Sequence, residues 1–254
     1  MRAREAARSG RPIRKEEKGI RGDVDILDYG AVPDGSRLST AAIQGAIDAC
    51  HEAGGGRVVC GPGRFLTGSL VLKSNVELHL RAGCQLIGSP NLDDYEDLVA
   101  EGFISEAAPA GNSKSLLRAS GAQNIAISGP GEVNGSGLAF YDTAEQARPF
   151  FPKPATARPR MLMLYRCRDV RIEGPSFVDS PLWTFWLIGC ERVAIHRVRI
   201  RSDHRMINSD GIDIDACRDV TVSDCAISTA DDCIVLRSIR WACERPGACE
   251  SIAE

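Results

Sequence analysis

The sequence predicts an all-β fold in which short strands stack as the coils of a solenoid. Five short runs share one pattern, a polar residue followed by two apolar residues with a polar residue between them: Asn75–Leu78, Asn124–Ile127, Asp169–Ile172, Arg192–Ile195 and Asp219–Val222. Their first residues are 49, 45, 23 and 27 positions apart, so the first two intervals are close to twice the others. A period of 23 to 27 residues with short strands is typical of stacked coils.

The length and composition are those of an ordinary globular chain. With 254 residues, 43% of them hydrophobic, the chain is long enough for one sizeable core. The net charge of −3 gives no reason to expect a nucleic acid or a membrane as partner. No apolar run approaches the roughly 20 residues that span a bilayer.

The first residues differ in character from the rest of the chain. Residues 1–22 are rich in basic side chains but contain no apolar segment, so we expect a disordered tail followed by one domain over residues 23–254. No signal peptide is visible, which predicts a cytoplasmic protein, or a secreted or periplasmic one if the N-terminus is misassigned. The ten cysteines lack the paired spacing of a zinc site, and we expect mostly buried, free thiols.

One helix is predicted near the N-terminus. It follows a first strand at Asp23–Tyr29, begins at Ser39 or Thr40 as N-cap, and ends at Gly54–Gly56. Its apolar face carries Ile43, Ile47 and Cys50. Such a helix protects the open end of a solenoid's first coil, although any α/β unit could contain a similar strand and helix.

Cysteines recur in step with the repeated runs. Cys167, Cys190 and Cys217 each precede a run by two residues. Equivalent positions of successive coils stack, so we expect these thiols to form a packed ladder inside the solenoid.

Two acidic clusters lie about one coil apart. Asp231, the first of the pair Asp231–Asp232, lies 21 positions after Asp210, and the stretch between them contains two short β-runs. Adjacent strands are about 4.8 Å apart, so the three carboxylates are expected to share one patch of surface. Asp213 and Asp215 alternate with isoleucines, and we expect them on the polar face of a half-buried strand.

The residues around these clusters resemble glycoside hydrolase family 28, the polygalacturonase-like enzymes. Asn208–Ile214 resembles the family motif Asn-Thr-Asp-Gly-Ile-Asp-Ile, with Ser209 in place of Thr. Thr229–Ile234 resembles the segment Gly-Asp-Asp-Cys-Ile, with Ala230 in place of Gly. The resemblance implies a right-handed parallel β-helix with an N-terminal capping helix.

The same resemblance implies hydrolysis of glycosidic bonds in pectin-type polysaccharide. Asp231 would be the general acid, while Asp210 and Asp232 would hold and activate a water molecule, with inversion at the anomeric carbon. Crowded carboxylates raise at least one pKa, which leaves an acid beside ionised bases. We expect a galacturonate-containing polysaccharide or oligosaccharide as partner, no cofactor, no bound metal and a monomeric protein.

Four further residues are candidates for substrate binding. Asn208 is expected to orient the first acidic cluster through its amide. His204 precedes it in a loop, and Arg237 follows the second cluster, where a cation suits an anionic sugar. Trp186 belongs to a segment, Ser180–Trp186, that resembles the family's Ser-Pro-x-Trp-Thr, and either Trp183 or Trp186 could offer a flat surface to a sugar ring.

Two later motifs of the family, Gly-His-Gly and Arg-x-Lys, are missing from the sequence. We therefore expect a domain that is incomplete at its C-terminus and a chain that is weakly active or inactive. Two other classes of function remain open. One is a calcium-dependent pectate-lyase-like β-elimination, and the other is a non-catalytic carbohydrate-binding β-helix.

Overall fold

The computed structural model describes residues 22–97, 113–144 and 149–238. The strands in chain order are β1 (Val24–Asp25), β2 (Asp34–Leu38), β3 (Gly56–Cys60), β4 (Gly63–Thr67), β5 (Leu70–Val71), β6 (Val76–Leu80), β7 (Cys84–Gly88), β8 (Ser115–Ser120), β9 (Gln123–Ser128), β10 (Glu132–Asn134), β11 (Arg160–Tyr165), β12 (Arg168–Glu173), β13 (Ser176–Val178), β14 (Phe185–Ile188), β15 (Glu191–His196), β16 (Arg199–Arg201), β17 (Ile212–Asp215), β18 (Arg218–Ser223), β19 (Ala226–Ser228) and β20 (Ile234–Arg237). The helix α1 spans Thr40–Glu52, and short 3-10 helices cover Ile26–Tyr29, Leu92–Asp94 and Gly137–Phe140. None of the helices in these ranges is long and apolar enough to cross a membrane.

The strands form three parallel sheets that run the length of the molecule. Sheet 1 has the order β1-β3-β6-β9-β12-β15-β18, sheet 2 the order β2-β4-β7-β10-β13-β16-β19, and sheet 3 the order β5-β8-β11-β14-β17-β20. Each coil after the first contributes one strand to each sheet, and the first coil contributes only β1 and β2. The inward apolar side chains form one continuous core. The predicted fold, a right-handed parallel β-helix, is confirmed, the handedness being that of nearly all parallel crossovers.

The five repeated runs of the sequence all lie in sheet 1. Val170 pairs with Ile125 and with Val193, and Val193 pairs with Val220, in the register that the repeat predicts. The polar residue that opens each run has a left-handed backbone, with φ between 53° and 64° at Asn75, Asn124, Asp169, Arg192 and Asp219. Asn and Asp tolerate this conformation better than most residues, which explains why four of the five are of these types.

Helix α1 covers the first coil, as predicted. Its buried face consists of Ile43, Ala46, Ile47 and Cys50, and it packs against β3 and β5. Ser39 is the N-cap, but its hydroxyl accepts a hydrogen bond from the Val32 amide at 3.0 Å instead of capping the helix. The predicted first strand is much shorter than Asp23–Tyr29, because the Asp25 carboxylate accepts a bond from the Leu27 amide and starts a 3-10 helix there.

The cysteine ladder is present in the core. Cys167 and Cys190 are buried and Cys217 is half-buried, and the Cys190 amide donates to Cys217 Sγ at 3.3 Å. All eight cysteines in the described ranges are free thiols. The tail predicted at residues 1–22 lies, except for Gly22, outside the described residues, so that prediction stands as made.

Candidate active site

The two acidic clusters face each other across one coil boundary. Ile212 of β17 pairs with Ile234 of β20, so Asp210 and Asp232 occupy equivalent positions two residues before their strands. The Gly211 amide donates to the Asp232 carbonyl at 2.9 Å, which continues the sheet register into the site. Carboxylate oxygens of Asp210, Asp231 and Asp232 lie within 4.8 Å of one another. The shared carboxylate patch predicted from the spacing is therefore present.

Small residues allow this close approach of the two coils. A Cβ at Gly211 would lie 2.3 Å from the Cys233 carbonyl oxygen, so only glycine fits there. The Ser209 hydroxyl is buried and accepts a hydrogen bond from the Ala230 amide at 3.2 Å, so it ties the two acidic turns together. Serine and threonine both supply this hydroxyl, which explains why Ser209 is tolerated in place of the family's threonine.

The three carboxylates differ in environment. Asp210 is only 5% exposed, and its Oδ1 atom is buried without a hydrogen-bond partner. Burial raises the pKa of Asp210 to about 6, and the nearby charge of Asp231 adds to this effect. Asp231 and Asp232 are exposed, and the Asp232 amide donates to Asp231 Oδ1 at 3.0 Å. Among the three, Asp210 is the residue whose surroundings disfavour the ionised form.

Asn208 is held by an arginine and not by the acidic cluster. Its Oδ1 accepts from Arg158 Nη2 at 3.2 Å, and its backbone is left-handed with φ 55°. Arg158 is buried and also donates to the carbonyls of Pro181 at 3.0 Å and Ile207 at 2.9 Å, and to the Tyr141 hydroxyl. Asn208 therefore fixes the loop that leads into Asp210, and the expected orientation of the carboxylates through its amide is not what the hydrogen bonds show.

His204 and Arg237 have different surroundings. His204 is exposed, and its Nε2 lies 2.9 Å from the Ser228 hydroxyl. Arg237 is half-buried and donates to Asp213 Oδ1 at 2.6 Å. Its guanidinium also lies over the Trp183 ring, 4.4 Å from the centroid. Arg237 is thus engaged with protein groups, whereas His204 faces solvent.

The assignment of Trp186 to substrate binding is wrong as a direct contact. The side chain is 0% exposed, so it cannot offer a face to a sugar ring. In a regular strand Trp183 and Trp186, three residues apart, would lie on opposite faces, yet their ring centroids are 5.2 Å apart in an edge-to-face contact. The alternation rule fails because β14 begins at Phe185, so Trp183 precedes the strand. Trp183 is the half-buried member of the pair.

Asp213 and Asp215 are also buried, contrary to the expectation of a polar face. Both are 0% exposed, and they stack on Trp186 and Ile188 of the previous coil. Arg160 is buried beside them, with its guanidinium 4.6 Å from the Trp183 centroid. Sequence reasoning missed this cluster, although a signal was available. The continuous apolar runs in β11 and β14 are typical of strands that are buried on both faces.

Comparison with known proteins identifies the family. Residues 79–242, well over half of the chain, match the sequence profile described as glycosyl hydrolases family 28. The chain belongs to glycoside hydrolase family 28. The family match includes both acidic clusters and sheet 3 from β8 onwards.

Several proteins similar to this chain are described as polygalacturonases or galacturonosidases. The chain is 28% identical over 220 residues to a probable polygalacturonase of Vitis vinifera. The aligned residues make up 84% of this chain and 44% of that protein. An exo-poly-alpha-D-galacturonosidase of Dickeya chrysanthemi is 40% identical over 119 residues, 45% of this chain and 19% of that protein. The crystal structure of an exopolygalacturonase from Thermotoga maritima superposes with a TM-score of 0.71 at 28% identity and covers 87% of this chain and 55% of that one. The chain spans less than half the length of the two curated relatives.

Proposed function

We propose that this chain carries the catalytic centre of a polygalacturonase-like glycoside hydrolase. The observation that carries the proposal is the convergence of three carboxylates within 4.8 Å at one coil boundary of a family 28 solenoid. Glycoside hydrolysis requires one carboxyl group to protonate the leaving oxygen and another to activate water or attack the sugar. The cluster supplies both kinds of group.

The roles of the three residues follow from the family resemblance and are compatible with the geometry. Asp231 is the proposed general acid, and Asp210 and Asp232 are the proposed pair that holds the water. Support for the pair comes from the register, because Asp210 and Asp232 stack at equivalent positions of adjacent coils and can reach one water molecule between them. A base must be ionised, so activity is expected to rise with pH as Asp210, with its pKa of about 6, loses its proton.

The proposed substrate is a galacturonate-containing polysaccharide or oligosaccharide. This proposal rests on the relatives, which are polygalacturonases and an exo-poly-alpha-D-galacturonosidase. His204 is exposed and stays a proposed contact to the anionic sugar. Asn208 is hydrogen-bonded to Arg158 and Arg237 to Asp213, and the contact of both residues with the sugar stays a prediction.

The test is the release of reducing ends from polygalacturonate by the purified 254-residue chain at high protein concentration. Asp231→Asn is expected to lower the rate by roughly 10²–10⁴-fold, because it removes the proposed acid and leaves the shape unchanged. Asp210→Asn and Asp232→Asn should be comparably impaired. Asp219→Asn is the matched control, since Asp219 is exposed on sheet 1 and asparagine suits its left-handed backbone.

Three outcomes would contradict the proposal. One is equal activity of the parent and Asp231→Asn chains, and another is a calcium-dependent product with ultraviolet absorbance, which would indicate β-elimination. The third is retention, measured by proton NMR of the first product, because the proposed roles require a β-anomer from an α-linked substrate. A complete absence of release by the parent chain is the result expected if the missing Gly-His-Gly and Arg-x-Lys motifs are needed for turnover.

A further inference from the structure

A buried cluster of charged and aromatic side chains lies on the outward face of sheet 3, beside the acidic site. We call it the Arg–Trp cluster, and its members are Arg160, Trp183, Trp186, Asp213, Asp215 and Arg237. The guanidinium of Arg160 lies 4.4 Å from the Trp186 centroid and 4.6 Å from the Trp183 centroid. The proposed catalytic roles use no member of this cluster.

Arg237 is fixed within the cluster by two contacts. Its Nη2 donates to Asp213 Oδ1 at 2.6 Å, and its guanidinium carbon lies 4.4 Å from the Trp183 centroid. The side chain is 23% exposed, whereas its partner Asp213 is fully buried. A short ion pair combined with stacking holds a guanidinium in one orientation, because both contacts depend on its planar shape.

The backbone links this arrangement to Asp210. Phe185 pairs with Ile212 in the register of β14 and β17, so Trp183 occupies the position one coil below Asp210. The Thr184 amide donates to the Asp210 carbonyl at 2.8 Å, which locks the two turns together. The ring of Trp183, which precedes Asp210 by one coil, is therefore covered by the guanidinium of Arg237 from the coil after Asp210.

The charges around Asp210 are unbalanced. Carboxylates of Asp213, Asp215, Asp231 and Asp232 come from β17 and from the turn before β20, and cations come from Arg158, Arg160 and Arg237. Asp210 Oδ1 and Asp213 Oδ2 are both buried without a hydrogen-bond partner. Buried carboxylates with few hydrogen bonds depend on nearby positive charge to stay ionised. Arg237 acts on both Asp210 and Asp213 in this sense.

We propose that Arg237 is a positioning residue for Asp210, whose guanidinium, held by Asp213 and the Trp183 ring, supplies the positive charge that keeps the Asp210 carboxylate ionised among its acidic neighbours. The inference deepens the proposed function, because it explains how a proposed base remains a base inside a crowded acidic site.

The test is a pH titration of the Asp210 carboxyl carbon by ¹³C NMR in the 254-residue chain, with the signal assigned through Asp210→Asn. Arg237→Met and Arg237→Gln are expected to raise the midpoint by about one unit or more, because each removes the nearby cation. Arg199→Met, a change at an exposed arginine of sheet 2, should leave the midpoint unchanged.

The direction of the shift separates electrostatics from damage to the fold. Unfolding would move the midpoint down towards the ordinary aspartate value, so it cannot imitate the rise expected for Arg237→Met. If Arg237→Met does not fold, Arg237→Gln still decides the matter. An unchanged or lowered midpoint in the Arg237 variants overturns the proposal. The titration needs no turnover, so its result is independent of whether the chain hydrolyses galacturonan.

Discussion

The outward faces of sheet 1 and sheet 3 are built from the same coils but have opposite environments. On sheet 1, Arg171 is exposed and bridges Glu173 at 3.1 Å and Glu77 at 3.4 Å in contact with water. On sheet 3, Trp186 and Asp213 are fully buried. The difference shows that pointing away from the core of a solenoid does not imply contact with solvent. Charges on sheet 3 consequently act on one another with little screening.

The composition of the strands explains the contrast. Strand β12 of sheet 1 alternates buried Val170 and Ile172 with polar residues. Strand β11 of sheet 3 carries an unbroken apolar run from Met161 to Leu164, and its outward Met163 joins a second small hydrophobic cluster with Trp186 and Ile188. Strands with apolar residues on both faces need a cover on each side. The outward side chains of sheet 3 beside the acidic site are thus shielded from water.

The largest effect is expected from Trp186→Ala on sheet 3. This change removes a fully buried indole from between Met163 and Asp213 and should lower the free energy of unfolding by about 3–5 kcal/mol. Thermal or urea unfolding followed by circular dichroism measures it. Phe150→Ala is the matched control, because Phe150 is a large aromatic residue that is 45% exposed. Equal losses in both variants would contradict the claim that the burial of Trp186 stabilises the fold.

An intermediate effect is expected from pH. Burial raises the pKa of Asp213 from 3.8 to about 7, and the charge of Asp210 adds to it. A carboxyl whose pKa is raised in the folded chain binds its proton more tightly there than in the unfolded chain. Its ionisation therefore lowers the free energy of unfolding. The contribution of Asp213 to the free energy of unfolding should therefore fall as pH rises from about 4 to about 7. The loss of melting temperature between these limits should be smaller in Asp213→Asn than in the parent chain.

The control for that experiment is Asp169→Asn on sheet 1. Its hydrogen bond from Arg192 lowers the pKa of Asp169, so this residue contributes stability above its ordinary pKa that is lost as the pH falls. The two aspartates should thus change the pH dependence in opposite directions. If both substitutions changed the pH dependence of stability in the same direction, the expected difference between the buried and the exposed carboxylate would be contradicted.

The smallest effect is expected from Arg171→Ala on sheet 1. Exposed ion pairs contribute roughly 0–1 kcal/mol, so the change in the free energy of unfolding should be within about 0.5 kcal/mol. Added salt should remove most of the difference in the free energy of unfolding between Arg171→Ala and the parent chain, because salt screens solvent-facing ion pairs. A loss of the size expected for Trp186→Ala would show that sheet 1 also has a buried outer layer.

Much of the fold could be predicted because it depends on local pattern and period. The runs from Asn75, Asn124 and Asp169 onwards predicted one sheet in its correct register. The cysteine ladder and the helix at Thr40–Glu52 followed from the same reasoning. The pairing of Asp210 with Asp232 also needed only the spacing, because residues one coil apart must stack.

The environment of each side chain could not be predicted in this way. Trp183 and Trp186 make contact because the strand begins between them, and strand boundaries depend on the neighbouring coils. Asp213 looks like a solvent-facing residue in the pattern Ile-Asp-Ile-Asp, yet Trp186 of the previous coil and Arg237 of the next enclose it. Burial of an outward side chain is set by residues that are distant in sequence.

The amino-acid sequence alone specified the solenoid, its capping helix and the meeting of three carboxylates, since each follows from periodicity and from motifs of a few residues. Only the tertiary structure decided which of these carboxylates is shielded from water, and which arginine and tryptophan surround it. Stacking by period is a local, repeated interaction that short motifs encode. Desolvation and charge pairing depend on the sum of all groups within a few ångströms, and coil packing alone brings those groups together.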